Sequence, residues 1–148
     1  MAPQTVIRVL HVTPNETDHV SLRFVLQHPN WQIHRAQNYQ EARAFILQRP
    51  VSVVISEAAL PDGNWKGILD DTRRSLDAPN LIVTSRLADD RLWAEVLNLG
   101  GWDVLSTPFE AGEVVRVLFA ASLARTPSWR HPDSADSLEP RRLFAVAG

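Results

Sequence analysis

A carboxylate at the end of a buried strand is the residue of this chain best placed for chemistry. Glu57 closes the apolar run Val51-Ser52-Val53-Val54-Ile55-Ser56 and stands four residues before Pro61. The turn Leu60-Pro61-Asp62-Gly63 follows it. In an open α/β sheet, ligands and reactions gather outside the carboxyl ends of the strands, so Glu57 is a candidate site residue. Its neighbour Ser56 is a poor nucleophile: alternation turns it into the sheet layer, and no histidine or second base is spaced to activate it. His11 and His34 fall inside strand runs and read as packing residues before they read as ligands. Lys66 is the single lysine beside fourteen arginines, and it reads as a solvated helix residue before a partner for Glu57 or Asp62. No metal-ligand spacing occurs along the chain.

The elements that must position Glu57 alternate between β-rich runs and segments of helical period, which is the signature of βαβ units and a parallel sheet. Val6 to Val12 is the first strand, ending at Thr13-Pro14. Glu16 to Gln27 is the first helix, stopped by His28-Pro29-Asn30. Trp31 to Arg35 is an amphipathic strand suited to a sheet edge, and Tyr39 to Gln48 a helix ended by Pro50. Val51 to Ser56 is the third strand, apolar without alternation, as a strand covered on both faces should be. A helix from Trp65 to Ser75, a fourth strand from Asn80 to Thr84 and a helix from Asp89 to Leu99 come next. Gly100-Gly101 stops that helix. Trp102 to Leu105 is a short fifth strand, and Phe109 to Leu123 the last helix. Five units with short connections predict a three-layer doubly wound α/β domain with a five-stranded parallel sheet.

Composition bounds the rest. The 148 residues carry 45% apolar and 22% charged side chains, ordinary for one globular domain with a real core. A net charge of −2 makes no case for nucleic acid or a membrane surface. The absence of cysteine excludes disulfides and fits a cytoplasmic setting. Arg8 and His11 interrupt the N-terminal apolar residues, so they read as a strand and not a signal peptide. No segment approaches the length of a membrane span. From Arg125 onward periodicity is lost and turn formers accumulate, so 125–148 is expected to be a flexible C-terminal tail on a domain spanning 1–124. Leu143-Phe144-Ala145-Val146 is apolar but too short to fold alone.

Three pieces in the right order and spacing make the chain resemble the receiver domain of bacterial two-component response regulators, over about Val6 to Leu123. They are Val53-Val54-Ile55-Ser56-Glu57-Ala58-Ala59-Leu60-Pro61, then Leu81-Ile82-Val83-Thr84-Ser85, then Gly100-Gly101-Trp102-Asp103-Val104-Leu105-Ser106-Thr107-Pro108-Phe109. The resemblance implies the flavodoxin-like strand order 2-1-3-4-5. It also implies a phosphate-accepting aspartate after the third strand, an acidic pair holding magnesium after the first, a hydroxyl ending the fourth, and a lysine before the proline after the fifth. That set has a physical logic, because phosphoryl transfer to a carboxylate is mostly positioning and charge neutralisation.

In this chain the acceptor position falls on Glu57, the acidic pair on Thr13 and Pro14, and the lysine on Thr107. The hydroxyl is kept as Thr84. The switch position of the fifth strand falls on Val104, too small to act as a rotating ring. Glutamate carries its carboxylate one methylene further, magnesium loses its ligands, and no cation meets a phosphate. The expectation is a degenerate, stand-alone receiver with no catalytic activity, no cofactor and no metal, working as a phosphorylation-independent interaction module in signalling. In one version Glu57 imitates phosphate by bonding Thr84; in the other it is a relic. Two alternatives are a phosphoacceptor with a rearranged site and an adaptor that recognises partners through its tail.

The expected partner is another signalling protein or a second copy, docking on the face of the fourth helix, fifth strand and last helix. Trp93, Leu97 and Val104 are the candidate interface residues. Leu92, Val96 and Leu99 form the line expected to cover the sheet.

Overall fold

A computed structural model of the protein describes residues 6–124. The strands β1 (Ile7–Val12), β2 (Trp31–Ala36), β3 (Val53–Glu57), β6 (Asn80–Ser85) and β7 (Asp103–Ser106) form one parallel sheet in the order β2-β1-β3-β6-β7. Between β3 and β6 lies a two-stranded ribbon, β4 (Ala59–Leu60) with β5 (Gly63–Asn64), at the turn the sequence predicts. With that ribbon left out of the count, the order is the expected 2-1-3-4-5.

Side chains of β3 alternate between two cores, which explains its unbroken apolar run. Val53 and Ile55 pack with Leu22 and Leu26, and with Val114, Val117, Leu118 and Ala121; these come from α1 (Glu16–Val25), its C-cap and α5 (Ala111–Leu123). Val54 packs on the opposite face with Ala42 and Ile46 of α2 (Tyr39–Gln48), Ile68 and Leu69 of α3 (Trp65–Arg74), and Val96 of α4 (Asp90–Leu99). The domain is therefore three layers, α1 and α5 on one side and α2, α3 and α4 on the other.

Each helix opens on a side chain that accepts from its first-turn amides: Asn15, Asn38, Asn64, Asp89 and Glu110. Such caps satisfy donors that the helix itself leaves orphaned. Gly100 ends α4 in the left-handed region at φ 106°, where a side chain is disfavoured, and the Gly101 amide bonds the Val96 carbonyl at 2.8 Å.

One expectation about faces needs correction. Leu99 does not cover the sheet; it is exposed, while Val96 is buried and Leu92 packs partly against the core. In α1 the buried line is Asp18 and Leu22, continued by Leu26, and Val20 and Phe24 face outward. Element ends shift by one or two residues: Glu57 is the last residue of β3, and Glu110 caps α5 where the helix was expected to have begun. The expected tail, 125–148, lies outside the described residues. Among the described residues no helix is long and apolar enough to cross a membrane.

Candidate functional site

The strand tips gather the residues that the sequence singles out. Glu57 pairs in register with Thr84 across β3 and β6. Alternation places Glu57 on the face of Val53 and Ile55, and Thr84 on the face of Ile82. Thr13 and Thr107, beyond Val12 and Ser106, continue the lines of Val9 and Leu105 on that same face. The Thr13 amide extends the β1–β2 ladder to the Ala36 carbonyl at 2.9 Å, and the Thr107 amide bonds Ser85 at 3.2 Å. Thr13, Thr84 and Thr107 are buried, and Glu57 is half-buried. Pro14 is exposed at the rim and offers no donor.

Within this cluster the Thr13 hydroxyl donates to Glu57 Oε2. The bond joins the first and third strands at the place where the resemblance puts a carboxylate cluster around a cation. A hydroxyl can meet a carboxylate without an intervening metal, and the longer arm of glutamate reaches it. The phosphate-mimic version would have Glu57 bond Thr84, but Thr84 Oγ1 is buried with no protein partner. Parallel pairing puts the two Cα atoms side by side, but the Glu57 side chain is committed toward β1. Ser56 is buried and its hydroxyl turns back to the Glu57 carbonyl at 3.0 Å.

A second polar bridge crosses the same tips, and sequence reasoning did not find it. Arg86, one residue past β6, places one guanidinium nitrogen 3.0 and 3.2 Å from the two carboxylate oxygens of Asp18 on α1. Since β3 lies between β1 and β6, a bond from the β1–α1 side to the β6–α4 loop must span the end of β3. Asp18 is buried at the first turn of a helix, a position that suits a carboxylate. The available signal was spacing, because Asp18 lies four residues before Leu22 on the buried line of α1.

One pleat below Thr13, His11 is fully buried, with Nδ1 3.1 Å from Nδ1 of His19 and its ring 6.0 Å from Phe109. Burial, reinforced by the charges of His19 and Arg35, holds its pKa down to about 3, so it is neutral. His19 is also lowered, by burial first and then by Arg35 and Arg23, against an opposing pull from Glu16. His11 Nε2 has no protein partner. His34 stacks 5.0 Å from Phe45, a packing role.

The remaining candidates are engaged elsewhere. Lys66 pairs with Glu95 of α4 at 2.9 Å, not with Glu57 or Asp62. Asp62 accepts from the amides of Tyr39 at 2.6 Å and Gln40 at 3.1 Å, at the start of α2. Desolvation raises the pKa of its carboxyl, but the amides of Tyr39, Gln40 and Asp62 itself outweigh this and hold it below the usual range. Trp93 is 40% exposed on α4, Leu97 is half-buried beside it, and Val104 packs partly against the core.

These residues do not fit a magnesium ion. Hard divalent cations need several oxygen ligands, preferably carboxylates. Glu57 is bonded to Thr13, Asp18 to Arg86 and Asp62 to the start of α2. Among the described residues no group of three or more acidic, histidine or cysteine side chains is placed to hold a metal.

Solved structures share this arrangement of strands and helices. The signal receiver domain of an HD domain-containing protein from Pseudomonas fluorescens superposes with a TM-score of 0.72 at 24% identity, over 82% of this chain and 90% of that one. The chemotaxis response regulator CheY4 of Vibrio cholerae gives 0.70 at 18% identity, over 79% and 99%. The fold is that of a response-regulator receiver domain. A third receiver structure, from a sensor histidine kinase of Pseudomonas aeruginosa with magnesium coordinated in its active-site cleft, gives 0.68 at 17% identity over 81% of this chain and all of that one.

In sequence, the chain is 26% identical over 104 residues to the photosynthetic apparatus regulatory protein RegA of Cereibacter sphaeroides. The match takes in 70% of this chain and 56% of RegA, so the chain spans little more than half the length of that relative. No family model matches the chain.

Proposed function

We propose that this receiver-fold chain is a signalling module that works by protein interaction, without accepting phosphate. The observation that carries the reading is the Thr13–Glu57 bond. At the acceptor position it replaces a cluster of negative charges around a cation with a single carboxylate held by a neutral hydroxyl. A transferable phosphoryl group needs its acceptor free and cations on its oxygens. Here the acceptor-position carboxylate is occupied, Thr107 stands where a lysine would be, and the guanidinium of Arg86 is committed to Asp18.

Glu57 is not read as a phosphate mimic, because a mimic would engage Thr84. It is read as a tie between β1 and β3, with Asp18–Arg86 as a second tie between α1 and the β6–α4 loop. Both hold fixed the tips from which α4 departs. Output would then pass through the α4–β7–α5 side, where Trp93, Leu97 and Val104 face a partner protein or a second copy. The proposed setting is the cytoplasm, in keeping with a chain free of cysteine.

Incubation with acetyl phosphate and magnesium, followed by intact mass measurement, tests the reading. The mass is expected to stay unchanged for the wild type. A gain of one phosphoryl group, lost in Glu57→Ala, would instead establish a phosphoacceptor with a rearranged site.

A further inference from the structure

The outer side of the α1–α5 layer carries a run of exposed apolar side chains. Five of the ten large apolar side chains exposed among the described residues lie on α1 and α5: Val20 and Phe24 on the first, Val115, Phe119 and Leu123 on the second. Val115, Phe119 and Leu123 recur every four residues, a line separate from the Val114, Val117, Leu118 and Ala121 that fill the core. Phe24 and Leu123 are each 71% exposed, unusual for side chains of this size. The two helices share one core and cover the same face of the sheet, so both apolar lines decorate one outer surface.

We propose that this surface is covered by the chain's own segment Leu143-Phe144-Ala145-Val146. The inference goes beyond the reading above, since it holds whether or not the acceptor site is silent. Two features of the chain select this occupant over a second copy. First, the segment lies in the one run of consecutive apolar residues that follows α5, and residues 125–142 between them are polar or proline apart from the isolated Trp129, Ala135 and Leu138. Those 18 residues reach up to about 60 Å when extended, whereas α5 is only about 20 Å long. Second, tethering places the segment near the surface at an effective concentration of about a millimolar, far above that of a second copy in dilute solution. Four apolar residues make a weak ligand when free and an adequate one when attached.

The natural absence of cysteine makes the test clean. In the full chain, Ala120→Cys and Ala145→Cys are introduced together, sparing every apolar side chain invoked. Ala120 is exposed on α5, one residue from Phe119 and three from Leu123. The control pair is Leu76→Cys with Ala145→Cys. Leu76 is exposed at the same end of the domain, four residues before Asn80, whose side chain bonds the Ala121 carbonyl at 2.9 Å. Under mild diamide oxidation at micromolar protein, the first pair is expected to form an intramolecular disulfide about tenfold or more faster than the control. Adding Phe144→Asp should remove that advantage. Equal rates for the two pairs, an advantage untouched by Phe144→Asp, or covalent dimers as the main product would each overturn the proposal, the last in favour of a second copy.

Discussion

The strand tips and the outer surface of the α1–α5 layer treat their side chains in opposite ways. At the tips, charged and hydroxyl groups are turned toward one another: Thr13 to Glu57, and Asp18 to Arg86. On the outside of α1 and α5, apolar groups are turned toward solvent, led by Phe24 and Leu123. A receiver that transfers phosphate needs the reverse at its tips, with carboxylates left open to a cation and a phosphoryl donor. In the proposed reading, the polar site has become internal structure and the work lies on the surfaces.

The shared core offers the largest disruption of this contrast, because it underlies both regions. Leu118 is fully buried among residues of β1, β3, β6 and α1. Leu118→Ala is expected to cost about 2–5 kcal/mol in urea denaturation, loosening tips and helices together. A loss confined to one region in hydrogen exchange would show the two to be independent.

Acid comes next and acts from beneath the tips. The folded pKa of His11 is about 3, below its unfolded value near 6.5. Between those values the unfolded chain binds a proton that the folded chain refuses, so stability falls as pH drops. The expected loss is about 1.6 kcal/mol from pH 6.5 to 5, the slope rising toward about 1.4 kcal/mol per unit below the unfolded pKa. His11→Phe should flatten that slope, measured by urea midpoints across the range; an unchanged slope would remove His11 as its source.

The Arg86 bridge is worth less, because the guanidinium is half exposed while Asp18 is buried. Arg86→Ala should cost about 1 kcal/mol, and Asp18→Asn should recover part of it in the double variant. Additive losses would mean that the bridge is incidental.

The smallest effect is the sharpest for the tips. Thr84 Oγ1 has no partner, so Thr84→Val should change stability by no more than about 0.5 kcal/mol. Glu57→Ala, which leaves the Thr13 hydroxyl only its bonds with the Asn15 backbone, should cost about 1 kcal/mol. If Thr84→Val proved the more damaging, the phosphate-mimic arrangement would be restored.

Most of the fold was legible in the sequence because its signals are local. A run such as Val53-Val54-Ile55 needs two covered faces, and Gly100-Gly101 can stop a helix without knowledge of the rest. The facing of α1 was harder, since Val20, Leu22, Phe24, Val25 and Leu26 make it apolar nearly all round. Only the position of the sheet decides that Leu22 goes in and Phe24 stays out. In the site, which positions lie at the tips could be read from spacing, but their bonds could not. Whether Glu57 meets Thr13 or Thr84 depends on how neighbouring strands are staggered at their ends. Arg86 and Asp18 lie 68 residues apart and meet only once the strand order is set.

The contact between Lys66 and Glu95 has a practical side. It joins α3 to α4 at 2.9 Å, and Lys66 carries the only lysine amine in the sequence. Acylation of lysine, by a dye ester in the laboratory or an acetyl group in a cell, would therefore act here as a single-address event. It would erase one specific brace of α4 where most proteins would suffer a scatter of lost charges.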